Sequence, residues 1–121
     1  MENRGAKHRK ERLADALRDE ISALLEGELA DPRIGLANVS ELLLASDGKS
    51  ARVFINADGT AREAEQTVAA LNAAKGYIRH ALGERLALRH APEIFFYLDH
   101  SREYGERIDQ LLARLEKKKK T

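Results

Sequence analysis

The sequence predicts a single α+β domain with the element order α-β-β-α-α-β, followed by one more helix. Three observations carry this prediction: apolar residues recur at helical spacing in four segments, two alternating segments flank Asp47-Gly48, and small residues at 74–76 interrupt a long helical pattern. The chain has 121 residues, of which 43% are hydrophobic. That length and composition suffice for one core, whereas two domains would each lack apolar side chains.

The first element is an amphipathic helix predicted from Arg9 to Leu29. Apolar residues recur along it at three- and four-residue steps, at Leu13, Ala16, Leu17, Ile21, Leu24, Leu25 and Leu29. Asp31-Pro32 ends the helix, because a proline disfavours helical dihedrals in the residue that precedes it. Residues 32–36, which include Gly35, are the expected connecting loop.

Two strands are predicted next, at residues 37–45 and 50–57, and Asp47-Gly48 suits the tight turn of a hairpin. The second strand has one apolar and one mixed face, since Ala51, Val53 and Ile55 alternate with Arg52, Phe54 and Asn56. That alternation is typical of a sheet that helices cover on one side. In the first strand the run Leu42-Leu43-Leu44 blurs the alternation and leaves the register open.

Two helices separated by a short break follow the hairpin. A capping box of Thr60 and Glu63 predicts that the first of them begins near Ala61. This helix is expected to continue to the break at Gly76. Its expected core residues are Ala64, Val68 and Leu71, and those of the second helix are Ile78, Ala81, Leu82 and Leu86.

The third strand is predicted at residues 93–99, after Pro92, because proline fits the first position of a strand. One face would carry Ile94, Phe96 and Leu98, and the other Phe95 and Tyr97. A strand of this kind completes the sheet begun by the hairpin.

Ser101 is expected to cap a last helix. Its apolar side would bury Ile108, Leu111, Leu112 and Leu115, and the sequence leaves the packing partner open. The expected organisation is a basic arm at residues 1–8, a domain at 9–100, an amphipathic helix at 101–116 and a lysine-rich tail at 117–121.

Positive charge is concentrated in three segments of a chain whose formal net charge is only +1. Residues 1–12 carry +3, residues 75–90 carry +3 and residues 114–120 carry +4, which leaves −9 on the rest. The middle segment opposes only Glu84 to four cations, Lys75, Arg79, Arg85 and Arg89. Such clustering on a nearly neutral chain favours a polyanionic partner, of which nucleic acid is the commonest.

Several classes of protein are disfavoured by the composition. The absence of cysteine excludes disulfides, thiolate metal sites and cysteine nucleophiles, and agrees with a cytoplasmic location. No apolar run approaches the roughly 20 residues that cross a bilayer, and the charged amino terminus does not resemble a secretory signal. The four histidines lack metal-site spacing, and the adjacent residues Asp99-His100-Ser101 cannot converge as a catalytic triad. We therefore expect no enzyme, no catalytic or metal-binding residues, no cofactor, no small-molecule substrate and no membrane partner.

The element order, with two helices meeting at a small-residue break before the third strand, resembles the type II KH fold of RNA-binding modules. The GxxG segment of that fold is absent, and Ala74-Lys75-Gly76 stands in its place. This Ala-x-Gly segment resembles the interhelical kink of bacterial ribosome-binding factor A. The resemblance covers about residues 9–112 and includes, in order, Asp31-Pro32-Arg33-Ile34-Gly35, Ala51-Arg52-Val53-Phe54-Ile55, Arg79 and Pro92-Glu93-Ile94-Phe95-Phe96-Tyr97-Leu98-Asp99.

The resemblance implies a late assembly factor that is not an enzyme. Such a factor binds the immature small ribosomal subunit and its rRNA, assists maturation of the 5′ end of the precursor rRNA and supports growth in the cold. We expect a monomer whose kink at Ala74, Lys75 and Gly76 approaches rRNA while nearby cations contact phosphates. The expected RNA-binding residues are Lys75, Gly76, Arg79, Arg85, Arg89, Lys7, Arg9, Lys10 and Arg12.

The same residues allow other interpretations. Gly76 could simply end a helix, and Arg79 and Arg85 could pair with acidic residues elsewhere on the surface. Phe95 and Tyr97 could stack on bases, or they could cover a sheet face or pack against the last helix. The main alternative function is a protein-interaction adaptor that docks a partner through the last helix and the aromatic strand, with basic segments that serve only solubility.

Overall fold

The computed structural model describes residues 4–27, 34 and 36–120. Its elements follow the predicted order and confirm the α+β class with a three-stranded sheet. The bounds are α1 Arg4–Gly27, β1 Ala37–Leu44, β2 Ser50–Ala57, α2 Ala61–Ala73, α3 Lys75–Arg85, β3 Glu93–Leu98 and α4 Ser101–Lys120. α1 begins earlier than the predicted Arg9, so residues 4–8 are helical, and the predicted helix end at Asp31-Pro32 lies outside the described residues.

The sheet has the strand order β1-β2-β3, with β1 and β2 antiparallel and β2 and β3 parallel. The hairpin turn forms as predicted: Gly48 has a φ of +71°, and its N–H donates to the Ala45 carbonyl at 2.9 Å. The register of β1 shifts between Val39 and Glu41, which leaves Ser40 as the extra residue of a bulge. Because of this bulge, Val39 faces the core while Glu41 lies on the opposite face.

One face of the sheet, the inner face, is covered by α1, α2 and α3. Burial of a large apolar side chain is worth roughly 1.5–3 kcal/mol, so this layer supplies the main driving force for folding. The predicted core residues Val68 and Leu86 are only half-buried. The most deeply buried core side chains are Leu17, Ile21, Leu24, Val53, Ile55, Leu71, Ile78, Leu82, Ile94 and Phe96.

The opposite face of the sheet, the outer face, is not covered by any helix in the described parts of the chain. Tyr97 is 44% exposed there, and Leu43 is 39% exposed. Cross-strand pairing arranges the side chains of this face in two neighbouring rows, Leu43–Arg52–Phe95 and Glu41–Phe54–Tyr97.

The free edge of β3 is held by a side chain of α2. Asn72 donates from Nδ2 to the Phe96 carbonyl and accepts the Phe96 N–H at Oδ1, each at 2.9 Å. The amide therefore replaces a neighbouring strand at this position and satisfies both backbone groups of Phe96. As a result, the end of α2 is fixed beside β3, and the junction with α3 lies next to the sheet edge.

α4 differs from the prediction, because its apolar side is not buried. Ile108, Leu111, Leu112 and Leu115 are between 40% and 57% exposed. Its beginning differs as well: Ser101 is the first helical residue, and the Asp99 carboxylate accepts the Ser101 N–H at 2.8 Å. Asp99, rather than Ser101, thus provides the capping side chain. Among the described helices, α4 included, none combines the length and the apolar character that a membrane span requires.

Candidate nucleic-acid interface

The junction between α2 and α3 consists of one residue, Ala74. With φ −90° and ψ 3°, it is the C-cap of α2 and the N-cap of α3 at once, and its N–H bonds to the carbonyls of Ala70 and Leu71 at 3.1 Å. α2 therefore ends at Ala73, earlier than the predicted break at Gly76. Alanine has no side-chain acceptor, so α3 begins without a side-chain cap and its first turn is suited to an external anion.

Gly76 lies inside α3 as its second residue, so the alternative in which it ends a helix is wrong. Gly76 is exposed to solvent, and a Cβ built at this position would meet no heavy atom within 4 Å. Neither backbone conformation nor packing therefore requires glycine here. The missing side chain leaves the first turn of α3 open to a close approach by a ligand.

The end of α3 reverses the chain through a Schellman motif that the sequence did not reveal. Ala87 takes the left-handed conformation usual for glycine, with φ of +52°. The Leu88 N–H donates to the Gly83 carbonyl at 2.9 Å, and the Ala87 N–H donates to the Glu84 carbonyl at 3.3 Å. This turn leads residues 88–91 back along α3.

Arg79 closes the space between α3 and the returning segment. Its Nε donates to the Ala91 carbonyl at 3.0 Å. The space is an open groove of about 510 Å³, the α3 groove, which contains three of the predicted RNA-binding residues. Its lining residues are Gly76, Arg79, His80, Gly83, Glu84, Leu88, Arg89, His90 and Ala91.

The charges in the α3 groove are mixed but predominantly cationic. Glu84 is the acidic residue of the lining, and its carboxylate lies 3.1 Å from the His80 Nε2. Arg79 and Arg89 are exposed in the same groove. The groove therefore presents two guanidinium groups to an anionic ligand of extended shape.

Two other predicted residues of α3 lie outside this groove. The Lys75 Nζ sits 4.8 Å from the centroid of the Phe95 ring, at the edge of β3. Arg85 points toward α1, and its Nη1 lies 3.5 Å from the Glu20 Oε2. The expectation that Arg85 contributes free charge is thus weakened, because part of its charge is balanced within the protein.

The predicted cations of the amino-terminal segment lie on α1. Arg9 donates from Nε to the Gly5 carbonyl of its own helix at 3.2 Å, and Lys10 donates to the Ser46 carbonyl in the hairpin turn. Lys7 and Arg12 are exposed. Because α1 begins at Arg4, Lys7 lies in its first turn, where a cation opposes the helix dipole, whereas Arg9, Lys10 and Arg12 lie beyond that turn.

Contacts across the hairpin turn place Lys10 at the same end of the sheet as the α3 groove. Lys10 binds the turn at Ser46, and the Lys49 carbonyl of the turn accepts the Glu93 N–H at 2.9 Å. Glu93 is the first residue of β3 and follows the segment that lines the groove. The structure thus brings Lys10, Arg79 and Arg89 to one end of the sheet.

The sequence did not identify the segment 88–91 as part of this site. The usual signal for a helix that reverses is a glycine after its last turn, and Ala87 stands there instead. Leu88 and Ala91 also carry no charge or motif that marks them. Only the hydrogen bonds from Leu88 to Gly83 and from Arg79 to Ala91 show that this segment forms a wall of the groove.

The side chains of Asp99 and His100 have different partners. Hydrogen bonds from the Ser101 side chain, from Ser40 and from the Ser101 N–H lower the pKa of Asp99 below its ordinary value. Ser40 Oγ donates to Asp99 Oδ2 at 2.5 Å, whereas the His100 Nδ1 lies 3.4 Å from Glu103. Asp99 thereby joins β1, β3 and α4. Within the part of the chain that the structure describes, no cluster of three or more His, Asp or Glu side chains could hold a metal ion.

A family model described as ribosome-binding factor A matches residues 9–112. The chain belongs to the ribosome-binding factor A family. A ribosome-binding factor A from Koribacter versatilis is 54% identical over 121 residues, which covers 100% of this chain and 98% of the relative. One from Desulfitobacterium hafniense is 46% identical over 107 residues, or 88% of this chain and 86% of the relative.

Solved structures of ribosome-binding factor A share the fold. The crystal structure of the factor from Thermus thermophilus matches with a TM-score of 0.54 at 31% identity, covering 72% of this chain and 88% of that chain. A homology model of the Thermus thermophilus factor, fitted into a cryo-EM map of a 30S complex, matches with a TM-score of 0.57 at 30% identity. It covers 78% of this chain and 94% of that chain. The resemblance drawn from Ala74-Lys75-Gly76 and the neighbouring segments is therefore confirmed at the level of the family.

Proposed function

We propose that this protein binds the small ribosomal subunit through its rRNA while the particle is still immature. Membership of the ribosome-binding factor A family supports this proposal, as does the 30S complex described for the Thermus thermophilus relative. In this role the protein assists late maturation of the subunit and 5′-end processing of its precursor rRNA, and it matters most at low temperature. It acts in the cytoplasm as a monomer, without a cofactor or a reaction of its own.

The α3 groove is the observation that carries this proposal. It connects the uncapped first turn of α3, at Gly76, with the guanidinium groups of Arg79 and Arg89. Helix amino termini attract anions, and guanidinium groups pair with phosphate oxygens, so an RNA backbone lying in the groove would meet both. Contacts of this kind position a protein on RNA without reading its sequence.

Binding alone can account for the proposed role. A protein that binds an rRNA junction better in its immature arrangement than in its mature one holds the junction in that arrangement and dissociates as the mature form takes over. This mechanism needs no nucleotide hydrolysis and makes the protein a chaperone or a checkpoint of assembly.

Cosedimentation with purified small subunits, either immature or mature, tests the proposed function. We expect retention on immature particles at about 50 mM salt and a loss of orders of magnitude in affinity at about 200 mM, because about six phosphate contacts would be broken. Absence of binding to immature particles at the lower salt concentration would overturn the proposal.

The double variant Arg79→Gln/Arg89→Gln tests whether the α3 groove is the binding site. It should weaken binding to immature subunits and lower the slope of log affinity against log salt by about 2, or about 1 for each phosphate contact. Arg102→Gln/Arg107→Gln is the matched control, since it removes the same charge from exposed positions of α4. Equal losses in both variants would assign the effect to net charge and reject the groove.

The variant Gly76→Ala separates binding from stability. Because a Cβ at this position has open space and alanine favours helix over glycine, the protein should keep or gain stability, by roughly 0.5 kcal/mol. If RNA approaches the first turn of α3, the added methyl group should nevertheless weaken binding. Unchanged affinity would show that the RNA does not come close to this residue.

A second candidate function, a protein-interaction adaptor, is favoured by the exposed apolar side of α4. Leu111, Leu112 and Leu115 are each more than half exposed, at 57%, 55% and 51%. Partner binding by an adaptor should change little with salt. It should be weakened by Leu112→Gln and unaffected by Arg79→Gln/Arg89→Gln. The opposite pattern on immature subunits would favour RNA binding over the adaptor.

A further inference from the structure

The outer face of the sheet combines aromatic rings with one cation, Arg52, and also carries the acidic residues Glu41 and Glu93 at its margins. A hollow of about 260 Å³ lies on this face between the row of Arg52 and the end of the hairpin, and its lining includes Leu43, Ser50, Arg52, Phe95 and Tyr97. Arg52 is the charged residue among the described residues that line it. Flat apolar surfaces beside a guanidinium group offer what a nucleotide requires, a stacking surface for its base and a partner for its phosphate.

The Tyr97 ring on this face remains open to a ligand. The Phe54 and Tyr97 ring centroids are 5.7 Å apart with an interplanar angle of 31°, so the two rings contact each other at a tilt. Tyr97 still has 44% of its surface exposed. Tyr97 lies on the face opposite the core, so its ring is not held by burial among core side chains.

The outer face is continuous with the proposed RNA-binding site. Lys75 follows the helix junction directly and precedes Gly76, which lines the α3 groove. The same Lys75 ammonium lies 4.8 Å from the centroid of the Phe95 ring, which lines the hollow on the outer face. A polyanion that leaves the groove past Gly76 therefore meets Lys75 at the sheet edge and then the row of Phe95 and Arg52.

The unpaired charge of Arg52 favours a nucleic acid over an apolar protein segment on this face. Arg52 is exposed and forms no ion pair with any described residue. An apolar helix lying across the hollow would remove water from this guanidinium group without pairing it, which is costly. A phosphate would pair with it, and the neighbouring base would cover the ring of Phe95 or Tyr97.

From this geometry we infer that the outer face binds nucleobases of a single-stranded rRNA segment whose backbone enters from the α3 groove. Tyr97 and Phe95 stack on the bases, Arg52 contacts a phosphate, and Lys75 connects the two surfaces. The inference rests on the proposed function and adds a preference for unpaired rRNA. That preference follows because bases within a duplex do not expose their faces to a protein ring.

Binding of a short single-stranded oligouridylate, and of the same strand annealed into a duplex, tests this inference. Tyr97→Leu and Phe95→Leu keep an apolar side chain but remove the ring, and each should weaken single-strand binding roughly 5- to 150-fold without changing the salt slope. Duplex binding should be unaffected. Tyr104→Leu is the matched control, because Tyr104 is 67% exposed on α4, away from this face.

Photo-crosslinking of the unaltered protein to an oligouridylate that contains 5-bromouridine keeps the test independent of variant folding. We expect crosslinked peptides that contain Tyr97 or Phe95. Crosslinks confined to other residues, ring variants that bind as tightly as the unaltered protein, or failure of the unaltered protein to bind the single strand at low salt would each overturn the inference. The proposed function is decided separately, by cosedimentation with immature subunits.

Discussion

α3 and α4 carry apolar residues at the same helical spacing, yet the protein uses them in opposite ways. In α3, Ile78 and Leu82 are fully buried and Ala81 is 8% exposed. In α4, the corresponding residues Ile108, Leu111 and Leu112 are 40% to 57% exposed. The spacing therefore shows that a helix has an apolar side, but it does not show that the domain has a surface to receive that side.

The difference follows from the number of surfaces that the sheet offers. Three strands present one apolar face, and α1, α2 and α3 together cover it. The outer face carries Arg52 and Glu41 between its rings, so it is a poorer surface for an apolar helix. α4 emerges from the end of β3 after this core is complete, and its apolar side remains available to a partner.

Truncation of a core residue in α3 should have the largest effect on stability. Leu82→Ala should lower the free energy of unfolding by about 2–5 kcal/mol, because it leaves a cavity against the sheet. Leu112→Ala, the matched change in α4, should lower it by less than about 0.5 kcal/mol. Urea denaturation followed by circular dichroism measures both, and a comparable loss in the two variants would show that α4 packs on the domain in solution.

Removal of the Asp99 carboxylate should have an intermediate effect on stability, because this carboxylate joins α4 to the sheet. Asp99→Ala should cost about 1–2 kcal/mol at neutral pH, through loss of the Ser101 and Ser40 hydrogen bonds. The pKa of Asp99 is lowered in the folded protein, so its ionised form is the stabilising one. This contribution is complete above about pH 5 and is lost as the pH falls through the lowered, folded-state pKa.

Asp99→Asn serves as the control for charge. Asparagine can cap a helix about as well as aspartate, so this variant should keep more stability than Asp99→Ala and should lack the acid-dependent loss assigned to this group. Thermal unfolding at several pH values between about 3 and 7 distinguishes the variants. An acid-dependent loss of the same size in Asp99→Asn and in the unaltered protein would assign the effect to other carboxylates.

Relief of the backbone strain at Ala87, the left-handed residue after α3, should have the smallest effect on stability. This change should stabilise the protein rather than destabilise it. Ala87→Gly should raise the free energy of unfolding by about 0.5–1 kcal/mol, because a φ of +52° strains alanine but not glycine. The conformational entropy of glycine in the unfolded chain offsets part of the gain. A lower melting temperature for this variant would show that the strain is smaller than this entropy.

Sequence patterns with local causes predicted local structure well. The capping box of Thr60 and Glu63 forms as expected, and the Asp47-Gly48 turn closes the hairpin. The hydrogen bonds of such features join residues that are neighbours in the chain, so a short stretch of sequence contains both partners. The bulge at Ser40 escaped prediction because the leucine run beside it hides the alternation that defines a register.

The candidate site was predictable only in part. Positive charge between residues 75 and 90 pointed to α3, and the structure does bring Gly76, Arg79 and Arg89 into one groove. The position of Lys75 over Phe95, and the pairing of Arg85 with Glu20, depend on residues far away in the chain. Charge counted along a sequence does not show which cations the folded protein neutralises itself.

By itself, the amino-acid sequence determined the order of helices and strands, the hairpin turn and the family, because periodicity, capping and motif order are properties of short segments. The tertiary structure alone decided which apolar faces are covered, how residues 88–91 close a groove against α3, and that the outer face of the sheet and the apolar side of α4 stay exposed. The physical reason is that burial and charge pairing depend on distant partners. Those partners come together only when the whole chain has folded around its inner sheet face.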